Sequence, residues 1–136
     1  MSYNLDMFNE VRFVAGTTAH GANFTAGTLD MVGVDGNVLL AIHAFSGTGT
    51  LGITVSESSD GTTYSTIGTE TLFNPDTGAA DTFDNVDDGT NAGQYLAIRS
   101  NRARRYITAT FATTDSDHEV SVTAIVPRKY ANFEQA

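Results

Sequence analysis

The run EVSVTAIVP, residues 119–127, places Val120, Val122, Ala124 and Val126 on one side of the chain and Ser121, Thr123 and Ile125 on the other. A period of two marks a strand with one buried face, whereas a helix would scatter those four apolar residues around its circumference. The same period governs RRYITATFATT, where Ile107, Ala109 and Phe111 share a face, and ITVSES, where Ile53, Val55 and Glu57 alternate with Thr54, Ser56 and Ser58. In NVLLAIHAF both faces are apolar, with Val38, Leu40, Ile42 and Ala44 on one and Leu39, Ala41 and Phe45 on the other. Such a strand belongs in the middle of a sandwich or at an interface. EVRFVA and GTLDMVG add shorter strands, and QYLAIRS a further one.

Between these runs the chain is punctuated by Gly, Asp and Asn. Asp60-Gly61 separates ITVSES from TTYSTIG and predicts a tight hairpin, because that pair tolerates positive φ. TTDSDHE predicts a second, polar hairpin loop joining the last two strands. Residues 69–93 (TETLFNPDTGAADTFDNVDDGTNAG) read as a long acidic surface excursion, with few apolar anchors and one short strand near Leu72. With twenty threonines and thirteen glycines the composition also disfavours helix. The expected fold is all-β: a single antiparallel β-sandwich, jelly-roll-like, over 10–126. Extended arms flank it at 1–9 and 127–136. At 136 residues the chain suits one domain with its own core.

Charge and residue type exclude several functions. Sixteen acidic residues against seven basic ones, net −9, oppose a nucleic-acid groove, which needs clustered Lys and Arg. No Lys or Arg occurs between Arg12 and Arg99, and six of the seven basic residues fall between Arg99 and Lys129. An acidic middle and a basic last third can complement each other within one molecule or between neighbours. No apolar run approaches the ~20 residues of a membrane span, and the acidic opening MSYNLDMFNEVRF does not resemble a secretory signal. Without cysteine there is no disulfide, thiolate metal site or cysteine nucleophile.

Catalytic patterns fail one by one. His20, His43 and His118 form no HxxxH or HExxH pair, and no serine sits in a GxSxG elbow. His43, among Leu39, Ala41 and Phe45, reads as a packed histidine. DNVDDGTN places Val86 at the third position of a helix-loop-helix calcium site and Tyr95 where the bidentate Glu should stand, so that motif fails. A looser calcium site among Asp81, Asp84, Asp87 and Asp88 stays open, as does a carboxylate pair within 76–88, although solvated loop carboxylates are the plainer reading. SSDGTTY lacks both the spacing and the Trp of the sialidase-type Asp box, leaving a hairpin. RSNRARRY, residues 99–106, is the one dense basic cluster, and Arg suits bidentate pairing with carboxylates across a protein contact.

Taken in order, MSYNLDMFNEVRFVAG, LGITVSESSDGTTYSTI, YLAIRSNRARRYITATFATT and VSVTAIVPRKY resemble a family of small tailed-phage and prophage head decoration, or cement, proteins. The resemblance spans nearly the whole chain except 69–93, and its motifs are patterns of β-hairpins. It implies a virion structural protein assembled in the host cytoplasm. The protein would bind the outer surface of the major capsid lattice, bridge capsomers and associate with itself as a trimer or dimer. No cofactor, metal, nucleic acid, membrane or catalytic step is implied. On this reading Tyr3, Phe8, Tyr130 and Phe133 are apolar anchors on the arms, and Arg99, Arg102, Arg104, Arg105, Arg128 and Lys129 pair with carboxylates across a contact. The rival expectation is a carbohydrate- or receptor-binding module of a phage tail, using exposed Tyr64, Tyr95 or Tyr106, or else a tail or connector subunit.

Overall fold

The alternating runs become strands in the structure, a computed structural model that describes residues 10–15, 24–46, 49–87, 92–113 and 119–127. In chain order these are β1 (Glu10–Ala15), β2 (Phe24–Thr25), β3 (Leu29–Asp30), β4 (Val38–Ser46), β5 (Thr50–Ser58), β6 (Ser65–Thr66), β7 (Leu72–Phe73), β8 (Val86–Asp87), β9 (Ala92–Ile98), β10 (Tyr106–Thr113) and β11 (Glu119–Val126). No helix occurs among the described residues.

Two antiparallel sheets result. The first has the order β1-β11-β4-β9-β7. The second has the order β2-β10-β5-β6, with β3 also on β10 and β8 also on β5. The pairings nest: β1 with β11, β2 and β3 with β10, β4 with β9, β5 with β6 and β8. Early strands therefore pair with late ones, as if one long hairpin had been folded at its middle. That hairpin is then rolled up so that β11 lies beside β4 and β10 beside β5. This is the connectivity of a jelly roll, with β7 added outside β9.

The rolling overturns the expected hairpin at TTDSDHE. β10 and β11 lie in different sheets, so the two strands do not pair. The physical reason is burial. Ile107, Ala109 and Phe111 of β10 and Val120, Val122, Ala124 and Val126 of β11 belong to one core and face each other across it. Val38, Leu40, Ile42 and Ala44 of β4 and Leu51, Ile53 and Val55 of β5 complete the two inner surfaces. Each fully buried Val, Leu, Ile or Phe contributes about 1.5–3 kcal/mol relative to exposure.

The Asp60-Gly61 hairpin is also broader than expected. The last β5–β6 pair is Glu57↔Ser65, which leaves a wide connection in place of a two-residue turn. Its side chains fold it. Ser58 Oγ donates to Asp60 Oδ1 (2.8 Å) and accepts from the Gly61 N–H (2.9 Å), while Asp60 Oδ1 accepts from the N–H groups of Thr62 and Thr63 at 2.8 and 2.9 Å. Those donors, Thr63 first, then Thr62 and Ser58, hold the Asp60 carboxyl at a pKa of about 2. Gly61 has φ +80°, and a Cβ there would meet the Tyr106 ring at 3.4 Å.

The acidic stretch proves to be less of an excursion than its composition suggests. Through residue 87 it returns twice to the sandwich, adding β7 to one sheet and β8 to the other, and it buries Leu72, Phe73, Phe83 and Val86. A tight turn separates Phe73 from Ala80, which bridge each other; Asn74 N–H donates to Ala79 O, and Gly78 N–H donates to Asn74 O.

Glu57 continues the inward register of Leu51, Ile53 and Val55, so a carboxylate closes one end of the core. It is only 7% exposed. Its Oε2 accepts the Gly68 N–H (3.1 Å) and its Oε1 the Arg104 N–H (3.0 Å). One side chain thus fixes the turn leading to β7 and the turn leading to β10, and its burial is tolerable because both oxygens are satisfied.

Candidate binding surface

The basic cluster is placed by the 99–105 turn between β9 and β10, which belong to different sheets. Most of it is engaged within the molecule. Arg99 stacks over Phe73 at 4.0 Å from the ring centroid, and its Nε and Nη2 donate to the carbonyls of Glu70 (2.9 Å) and Gly78 (3.2 Å). Arg105 makes a bidentate pair with Asp30, Nε to Oδ1 at 3.1 Å and Nη2 to Oδ2 at 3.0 Å, and lies over Tyr106. Arg102 reaches Glu70 Oε1 at 3.4 Å, both groups more than half exposed. Arg104 differs: its backbone serves Glu57, while the residue is exposed and its guanidinium has no partner among the described residues. The cluster therefore mainly locks the turn, with Arg102 and Arg104 at the surface. Tyr3, Phe8, Arg128, Lys129, Tyr130 and Phe133 lie outside the described residues.

A second surface emerges that the linear sequence only hinted at. β4 is central in its sheet, but only one of its apolar faces enters the core; Leu39 and Ala41 are half-buried on the outer face and His43 is exposed. The expected packed histidine is thus a surface one, because the strand is buried on one side only. Cross-strand register builds three rows on this outer face: Ile125–Leu39–Ala97, Thr123–Ala41–Tyr95 and Ser121–His43–Gly93. Tyr95 is 48% exposed and Ile125 39%. In backbone register β1 extends the sheet, pairing Val11 with Ile125 and Phe13 with Thr123.

The second and third rows together line a depression of about 360 Å³, formed by Ala41, His43, Gly93, Tyr95, Ser121 and Thr123. It exists because Gly93 has no side chain; a Cβ there would touch only His43 Cδ2, at 3.8 Å. The Tyr95 hydroxyl donates to Asp76 Oδ2 at 2.8 Å, and this bond, with the Asp76 charge, raises the phenol pKa. Tyr64 and Tyr106 are half-buried. A rigid sheet with contiguous apolar side chains and a pinned tyrosine at its margin is suited to binding a surface.

Among the described residues no three His, Cys, Asp or Glu side chains converge on one point. Asp76 is engaged with Tyr95, and Asp81 Oδ1 accepts the Thr82 N–H. The side chain of Asp87 and all of Asp88 fall outside the described residues.

No protein-family model and no curated protein matches the sequence. The fold is similar to that of the PBSX exported protein XepA, with a TM-score of 0.56 and 14% identity, over 89% of this chain and 38% of that one. The chain thus spans well under half of XepA's length, and at this identity the likeness is one of fold. The K1 cleaved adhesin domain of Lys-gingipain from Porphyromonas gingivalis W83 aligns at a TM-score of 0.34 and 16% identity, covering 81% of this chain and 63% of that domain.

Proposed function

We propose that this chain is a non-catalytic structural protein of a phage particle, a decoration protein that docks on the outer surface of the capsid lattice and associates with itself. The observation that carries this reading is the outer face of the five-stranded sheet. Leu39, Ala41, Tyr95 and Ile125 form one apolar platform on a rigid jelly roll. Register adds a second support: Glu10 pairs with Val126, so β1 begins beside the end of β11 at one corner of that sheet. Contacts contributed by the platform and by the arms at 1–9 and 127–136 reinforce each other through effective concentration. The fold likeness to the PBSX exported protein XepA is in keeping with a phage setting. The net charge of −9 suits an outer shell surface better than a DNA-facing one.

Replacing Ala41 and Ile125 together by Glu tests the platform. Incorporation into particles falls sharply while the purified variant keeps its cooperative unfolding; undiminished incorporation would remove the sheet face from the contact. One observation favours a second reading, binding of a receptor or glycan: the depression beside Tyr95. There, Gly93→Leu would fill the depression and abolish binding to a glycan array.

A further inference from the structure

A groove of about 530 Å³ runs along the open side of the sandwich, where the β5–β6 edge of one sheet meets β7 of the other. Its floor is core: Ile53, Val55, Leu72 and Phe83, flanked by Ile67. Its rim carries the carboxylates of Glu70 and Asp81, and no Lys or Arg lines it. Among the described residues the Glu70 carboxylate is held only by the exposed 3.4 Å contact with Arg102, which an incoming cation can exchange.

The main chain in this groove is prepared for an extended partner. On one side β5 is paired with β10 throughout residues 51–58. On the other it meets β8 at Thr50 and Leu51 and β6 at Ser56 and Glu57, so among the described residues no strand lies beside Gly52, Ile53 and Thr54. The Val55 carbonyl points to that open side, where it accepts the Ile67 N–H at 3.0 Å. Two residues away in a strand, the N–H and C=O of Ile53 point the same way. A short open edge above an apolar floor is the arrangement used in strand addition.

We infer that this groove receives segment 128–136 of a second copy of the chain. The sequence RKYANFEQA supplies what the groove lacks: two cations, Arg128 and Lys129, for the acidic rim, followed by aromatic Tyr130 for the apolar floor. The same chain cannot lay Tyr130 on the Ile53 part of this floor. Val126 and Leu72 lie at one end of the sheet but three strands apart, about 14 Å at the usual strand spacing. The backbone of Tyr130, four residues past Val126, reaches at most about 14 Å, whereas Ile53 lies in the other sheet and a further four residues along β5 from the Glu57 end. This inference rests on the self-association part of the proposed function, but its failure would leave the number of copies in a particle unaffected.

The absence of cysteine makes the test direct. Full-length Thr82→Cys protein is mixed with mass-tagged Ala131→Cys protein under mild oxidation, and the 82–131 disulfide between copies is quantified by mass spectrometry. Thr82 is exposed on the groove rim, and Ala112→Cys, exposed on β10, serves as the control acceptor. The expected yield is at least about tenfold over the control, and Glu70→Lys with Asp81→Lys on the groove-bearing copy lowers it by about tenfold, the loss of one good interaction. A yield equal to the control, or one indifferent to the charge reversal, overturns the inference.

Discussion

Replacing Glu57 by Leu leaves the shape of the core end nearly intact and removes both acceptors that serve the Gly68 and Arg104 N–H groups. Neither donor has an alternative partner among the described residues; Glu57 is only 7% exposed, whereas Gly68 and Arg104 are exposed residues. A hydrogen bond to a charged group contributes about 1.5–3 kcal/mol, so the two account for about 3–6 kcal/mol before water replaces them. Relief of the carboxylate's own desolvation offsets part of this, and water reaching the loosened turns offsets more. A net loss of about 2–4 kcal/mol remains, which for a domain of this size lowers Tm by roughly 6–16 °C. Urea unfolding followed by circular dichroism measures it through the midpoint at constant m-value. Glu57→Gln keeps one acceptor and should fall about halfway between. If the Leu variant lies within about 0.5 kcal/mol of the parent, a range typical of neutral surface changes, Glu57 is not the clamp that joins the two turns.

Other consequences follow from the same geometry. Phe111→Ala, at a side chain 1% exposed in the core, should cost about 3–5 kcal/mol, read from the same urea transitions. Because the folded pKa of Asp60 is depressed from 3.8 to about 2, its contribution is present above the unfolded pKa and is lost as pH falls from about 4 towards 2. Asp60→Ala should flatten that part of the stability–pH profile, and an NMR titration should find the carboxyl midpoint near 2 in the parent. Asp76→Asn removes both the charge and the strong acceptor that raise the Tyr95 phenol, so its ultraviolet titration should shift back towards the ordinary value of 10.

Strand positions were legible in the sequence wherever alternation ran long enough, as in β10 and β11, because the period of two and the burial of one face are the same physical fact. The inner surface was therefore readable residue by residue, down to Val120, Val122, Ala124 and Val126. Strand partners were legible only in part. The strands flanking Asp60-Gly61 do pair, through a wider loop built on Ser58 and Asp60, whereas those flanking TTDSDHE lie in different sheets. Local turn preference of a few tenths of a kcal/mol yields to the burial of two whole faces. The 69–87 stretch reads as a surface excursion for a related reason: Leu72, Phe73, Phe83 and Val86 are few, and although each is buried, sparse anchors between acidic residues leave no periodic signal. Of the surface features, Arg99, Arg102, Arg104 and Arg105 could be named in advance, but their intramolecular partners Asp30, Glu70 and Gly78 are distant in sequence. The outer platform was foreshadowed only by the doubly apolar NVLLAIHAF; Tyr95 and Ile125 join it through register alone.

The most direct measurement is stoichiometric: quantitative mass spectrometry of purified particles, comparing this chain with the major capsid protein. Decoration of the lattice requires about one copy per capsid subunit or a simple fraction of that number, in keeping with the symmetry of closed shells. A handful of copies per particle would place the protein at a tail or connector, and its absence from particles would contradict a virion role altogether.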